Sequence, residues 1–152
     1  MKSLSSASDK TEIATRLQAV KAASPRRWGK MSAHQMVCHL SDSFRGAMGE
    51  RPLSPAPGYF ARGVVKWLAL YVPVRWPKGV QTRPEMDQEI GGTRPGDFEA
   101  DKRELCRLLD LFTAQPRRFQ WQAHPIFGGM SDAEWMRWGY LHMDHHLRQF
   151  GA

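Results

Sequence analysis

Cysteine is nearly absent from this sequence, with only Cys38 and Cys106 among 152 residues. A secreted domain of this size that depended on disulfides would usually carry more. Both cysteines fall inside predicted helices, so they read as reduced core or near-core thiols of a cytoplasmic protein. Cys38 adjoins a candidate ligand described below, but a buried inert thiol is the simpler reading. The opening residues, MKSLSSASDKTE, lack an apolar stretch and are not expected to act as a secretory signal. Long hydrophobic runs are missing too. The most apolar stretch, residues 59–74, is interrupted by Arg62 and Lys66 and broken by Pro73. It is shorter than the ~20 residues a membrane span needs, so it reads as a soluble core helix, with no membrane partner expected. Strand-like alternation, internal repeats and low-complexity tracts are also lacking.

What is present is ordinary globular composition, with 41% hydrophobic and 24% charged residues. That balance excludes wholesale disorder, and the length fits one domain with one core. The formal net charge is +7, but the basic residues are scattered in short pairs such as Arg26-Arg27 and Arg117-Arg118. Scattered charge fits a protein held away from its isoelectric point. Neither a recognition motif nor an aromatic-basic stacking pattern accompanies it, so no nucleic-acid partner is expected.

Residues 1–8 read as a flexible tail and residues 9–152 as the domain. The spacing of Ile13, Leu17 and Val20 predicts a first helix over 9–22, closed by Ser24-Pro25. Ser32 and Gln35 have capping-box spacing and open a second helix with an apolar stripe of Met36, Val37, Leu40, Phe44 and Ala47, stopped by Gly49. A short helix follows over 59–71. Residues 73–96, rich in Pro and Gly, are too long for an idle connection and should pack across the helices or form a lid. A fourth helix over 97–114 buries Phe98, Leu105, Leu108, Leu109 and Phe112, and a last one starts at the box-like pair Ser131 and Glu134 and runs to about residue 150. The expected class is all-α: an antiparallel four-helix bundle with an extra short helix and long loops.

The chemistry concentrates in histidine. His142, His145 and His146 lie close together near the end of the chain. In a helix, residues four apart differ by about 40° around the axis and roughly 6 Å along it, so His142 and His146 project from one face. His145 is the competing partner of His142. Trp135, Trp138 and Gly139 lead into the His142–His146 face and suggest that it turns inward, with His145 at its edge. A pair on one helix needs a third ligand from a facing helix, and the second helix offers His39 on its apolar side. His34, in that helix's first turn, reads as solvated or capping. Spacing alone is weak support, because buried histidines bonded to backbone carbonyls are common. Three neutral imidazoles suit zinc, nickel, iron or copper and leave a coordination position open.

Three segments carry a family resemblance. They are Trp28-Gly29-Lys30-Met31-Ser32-Ala33-His34-Gln35-Met36-Val37-Cys38-His39-Leu40-Ser41-Asp42-Ser43, then His124-Pro125-Ile126-Phe127-Gly128, then residues 135–151. They sit toward both ends of the chain, so the likeness covers the whole domain. The chain resembles the DinB-like superfamily, in its branch described as a domain of unknown function. That resemblance implies a four-helix bundle in up-down-down-up order, holding one divalent metal (zinc, nickel or iron) through three histidines. Carried over, these are His39, His142 and His146. The family often follows its last ligand with His-Arg-Gly-Gln, whereas here the run is His146-Leu147-Arg148-Gln149, keeping only the glutamine in place. Characterised members include transferases and isomerases that use low-molecular-weight thiols, so the resemblance also implies a thiol co-substrate whose pKa the metal lowers.

Two functions follow as expectations. One is a metal-dependent enzyme, a thiol S-transferase or hydrolase acting on a small-molecule substrate. His124 would be its general base or a substrate ligand, Asp42 and Asp144 would support the ligands, and Arg45 would meet an anionic substrate. The default reading of each of these four residues is a solvated or capping side chain. The other function is a non-catalytic metal or small-ligand binding module, with a homodimer through an apolar helix face as one option.

Overall fold

The computed structural model describes residues 1–56 and 62–152. Among them the regular elements are five α-helices and one 3-10 turn, and no strand occurs beyond an isolated bridge between His124 and Gly128. The helices are α1 (Ala7–Ala19), α2 (Ala33–Met48), α3 (Arg62–Tyr71), α4 (Phe98–Thr113) and α5 (Asp132–Gln149), with the 3-10 turn at Pro84–Met86 between α3 and α4. The all-α class therefore holds.

Local chemistry sets most of the boundaries. The Ser32 hydroxyl accepts from Gln35 N at 3.1 Å, while Ser32 N donates to Gln35 Oε1 at 2.8 Å. Ser131 and Glu134 repeat the arrangement at the head of α5. Each cap satisfies orphan N–H groups and contributes about 1 kcal/mol. α2 ends at Gly49, whose φ of 84° lies in the left-handed region that glycine enters without strain. Asp97 caps α4 by accepting from Ala100 N at 2.8 Å. At α1 the cap is Ser6, so the helix starts ahead of the expected Asp9, and it ends at Ala19 because Val20 turns extended and buries its side chain.

α2 runs through the middle of the molecule and is buried almost all round, as a helix covered on several sides must be. It packs on α4 and α5, while α1 and α3 pack on α5. Phe44 of α2 meets Phe112 of α4 with ring centroids 4.7 Å apart, and Phe112 also touches Trp135 and Trp138 of α5. These rings form the centre of the core.

Three expectations need correction. Residues 1–8 are not a loose tail. Leu4 is buried, its N–H donates to Met136 O at 3.1 Å, and Ser6 caps α1. The room for Leu4 comes from Gly139, where a Cβ would lie only 2.7 Å from Leu4 Cδ1. The short helix is not a core helix. The expected residues 59–61 lie outside the described residues, and of the large apolar side chains that follow, Leu70 is buried while Val64, Val65, Trp67, Leu68 and Tyr71 are exposed. Phe98, expected in the buried face of α4, is only half-buried and lies edge-on to His34.

Of the expected segment 73–96, the part from Met86 to Thr93 packs on α2, held there in part by one buried carboxylate, while residues 73–75 and 77–81 are exposed. Asp42 accepts from Thr93 N at 2.7 Å, Thr93 Oγ1 at 2.6 Å and Gln88 Nε2 at 3.2 Å, and it pairs with Arg51 at 3.2 Å. A fully buried charge is tolerated only with such a complete set of partners.

Candidate metal centre

His39 sits in the middle of α2, and His142 and His146 lie one turn apart on α5. Where these helices face one another the three rings converge. His39 and His142 have centroids 5.3 Å apart, His39 and His146 4.8 Å, and His142 and His146 4.9 Å. One ring nitrogen from each lies within 4.8 Å of the others. The helix phase that favoured His146 over His145 is therefore the phase the fold adopts.

The hydrogen bonds determine which nitrogen faces the centre. His39 Nδ1 lies 3.1 Å from Met86 O, and a carbonyl can only accept, so Nδ1 carries the proton. Gln149 Nε2 donates to Trp28 O at 2.8 Å, which turns its Oε1 toward His146 Nδ1 at 3.0 Å. His146 therefore also carries its proton on Nδ1. Both rings are left with a bare Nε2 lone pair. His39 Nε2 lies 3.3 Å from His142 Nε2. Two imidazole nitrogens bound to one tetrahedral ion at ~2.0–2.1 Å would stand about 3.3–3.4 Å apart, so this pair is already at ligand spacing. The remaining ring nitrogen of His142, Nδ1, is buried with no partner among the described residues.

Burial pushes the His39 pKa down, and it pushes His142 and His146 well below the ordinary imidazole range. For His142 the neighbouring His146 and His39 add to the effect. All three are thus neutral near pH 7, the form that ligates. No carboxylate completes the set. Asp42 is spent on residues 73–96, and Asp144 pairs with Arg16 and Arg148, both at 2.9 Å. Arg45 pairs with Glu104 at 2.7 Å. Three imidazoles with two oriented by hydrogen bonds fit zinc, nickel, iron or copper in chemistry.

The three histidines open onto a cavity of about 820 Å³, a size typical of small-molecule sites. Trp28, Trp76 and Trp138 line it, with Lys30, Arg75 and Arg83 among its charged residues. His145 also lines it, beside Trp28 and Trp76, and is no part of the converging trio.

His124 lies on the same cavity but on its own loop, closed by paired bonds of 2.8 Å between His124 and Gly128. Its Nδ1 accepts from Ile126 N at 3.2 Å and Phe127 N at 3.1 Å, and its ring stacks on Phe127. Burial pushes its pKa down to about 3. With Nδ1 accepting both bonds, the neutral His124 ring carries its proton on Nε2. Of its two expected roles, substrate ligand fits this tautomer and general base does not. His34 is neither solvated nor capping, since its Nε2 lies 2.7 Å from Asp101 Oδ2. Cys38 points to the same carboxylate, and burial raises its thiol pKa to about 12, as an inert thiol requires.

Gln149, Met86 and Trp28 are the site residues that sequence reasoning missed. Gln149 had a signal, standing three residues after His146 and so beside it on the helix. Met86 contributes a backbone carbonyl, which leaves no trace in residue type.

A helical fold, among the described residues, with a trio of converging histidines is the class these observations define. The family model described as "Protein of unknown function (DUF1569)" matches residues 2–152, so the chain belongs to that family. Searches of the curated proteins and of the solved structures found no match.

Proposed function

We propose that this protein binds one divalent metal ion through His39, His142 and His146 and uses it in chemistry on a small molecule, as a thiol S-transferase or a hydrolase. The observation that carries the reading is the 3.3 Å approach of His39 Nε2 to His142 Nε2, with the Nδ1 atoms of His39 and His146 turned outward onto Met86 O and Gln149 Oε1. Without an ion, the single ring N–H of neutral His142 can serve only one of the bare Nε2 atoms of His39 and His146; an ion uses both. When bound, a divalent ion supplies Lewis acidity that lowers the pKa of a thiol or a water. The chain's own contributions are neutral ligands, two of them oriented by hydrogen bonds, an aromatic wall of Trp28, Trp76 and Trp138, and the His124 Nε2–H as a donor to a substrate oxygen or nitrogen. The DinB-like four-helix bundle is the family reading that goes with this site, and the packing of α1, α2, α4 and α5 supports it. The small-molecule substrate and the cytoplasmic setting belong to the same reading.

A second reading, a non-catalytic metal or small-ligand binding module, is favoured by the state of His124, whose basic nitrogen is committed to the backbone. Metal analysis of the untagged protein tests the shared part of both readings. The expected result is one ion per chain in the wild type and near zero in His39→Ala and His142→Ala. Full retention in both variants would refute the site. Turnover of an electrophile with bacillithiol, mycothiol or glutathione, or of an ester in their absence, separates enzyme from binder.

A further inference from the structure

No helix among the described residues is long and apolar enough to cross a membrane. Lying on a membrane surface makes different demands: an apolar helix face turned outward, aromatic side chains at its edge, and cations with few carboxylates around it. α3 and the turn after it have all three.

At 100° per residue, Val64, Trp67, Leu68 and Tyr71 form one stripe along α3. Val64 is 64% exposed and Trp67 57%. The opposite side holds the helix to the protein, through buried Leu70 and the ion pair of Lys66 with Glu134 at 2.9 Å. The helix is therefore amphipathic in reverse, with its broad apolar face toward solvent. The apolar exposure continues past the helix to Val74 and Val80. An exposed run of this kind marks a contact surface.

The charge around it narrows the partner. Residues 51–84 carry Arg51, Arg62, Lys66, Arg75, Lys78 and Arg83 and no Asp or Glu. Some of these are used internally, Arg51 on Asp42 and Lys66 on Glu134. Arg75 and Lys78 are exposed, and Lys78 lies over the Trp28 ring. A second copy placed on this face by a two-fold axis would set cation against cation with no carboxylate in the segment to answer it. An anionic lipid surface meets the same cations favourably, and it suits Trp67 and Tyr71, whose side chains partition to the headgroup level.

We propose that α3 and residues 72–80 dock this protein onto an anionic lipid bilayer. Val65 and Leu68, both partly exposed, also line the cavity, so the docking face runs into the cavity wall. A bound bilayer then lies at the cavity mouth and feeds it molecules with an apolar body. The docking itself does not depend on the metal reading.

Co-sedimentation of the full chain with vesicles tests it. One set is pure phosphatidylcholine and the other contains about a third phosphatidylserine, where each surface cation adds to attraction. The wild type is expected to pellet with the anionic vesicles roughly tenfold more tightly than with the neutral ones, and to be released by salt. The double variant Val64→Ser/Trp67→Ser is expected to lose at least about tenfold in binding, because it removes the apolar contact. Its circular dichroism and metal content should match the wild type, which separates loss of docking from loss of fold or of the metal site. Equal pelleting with both vesicle types, no pelleting, or unchanged binding of the double variant would each overturn the proposal. So would a lipid-free dimer in sedimentation velocity that the double variant dissociates, since the face would then belong to a second copy.

Discussion

The surroundings of the three histidines and the surroundings of α3 differ in how their side chains are held. Around the histidines several polar groups are tied to fixed partners, His39 on Met86 O, His146 on Gln149, Gln149 on Trp28 O, and Asp42 on residues 88–93, while His142 Nδ1 and His145 Nδ1 have none among the described residues. Around α3, large apolar side chains and cations stand in solvent. The first region is preorganised, so a change there should cost binding or stability. The second contributes little to the folded state, so a change there should cost only what it touches.

The largest effect expected is loss of the metal itself. Removing a single imidazole, as in His146→Ala, leaves two ligands, and metal content measured by elemental analysis should fall to background. Next comes Asp42→Ala. It leaves the Thr93 N–H without its acceptor, while Arg51 keeps Glu85 O, Gly91 O and Thr93 Oγ1, and urea unfolding should show a loss of about 1–3 kcal/mol. Gln149→Leu keeps all three ligands but frees the His146 ring. Competition with a chelating dye should report about 10–100-fold weaker metal binding, partly recovered in Gln149→Glu.

A pH titration of the metal-free protein comes after these. The folded pKa values of His39, His142, His146 and His124 all lie below the ordinary imidazole value. As pH falls below about 6.5, the unfolded chain takes up protons that the folded chain refuses, so stability declines. For His124 the decline continues to its folded value of about 3. Thermal melts should drop through this window, and a flat profile would contradict the buried neutral state of these rings. The smallest effect belongs to α3. Val64→Ser should change unfolding free energy by no more than about 0.5 kcal/mol and leave metal content untouched. A large loss there would erase the contrast between the two regions.

The same contrast explains what could be read before the fold was known. The capping pairs Ser32–Gln35 and Ser131–Glu134 were legible because a cap is a local bargain between residues three apart. The pairing of His142 with His146 was legible because helix phase is local too. The lie of α3 was not. Its residues are apolar nearly all round, and periodicity cannot say which side meets the protein. The tethering of Leu4 was hidden for a different reason, since it depends on the gap left by Gly139 in a helix far along the chain. Met86 was invisible because its backbone, rather than its side chain, does the work.

His39 and His142, whose Nε2 atoms stand 3.3 Å apart, are separated by 103 positions in the chain. Gln149 strengthens the same long closure, with its side chain on Trp28 O and its own carbonyl accepting from Arg27 N at 2.7 Å. Bringing such distant segments together costs loop entropy that is recovered only once α2 and α5 have docked. The full ligand set therefore does not exist early in folding, and the nascent chain passes through most of its assembly with no place to keep an ion. On the proposed metal reading, an ion that arrives afterwards would act as a latch on the finished molecule. It would bind the native state alone and stabilise it by mass action, so the lifetime of the closed form should track the metal concentration around it.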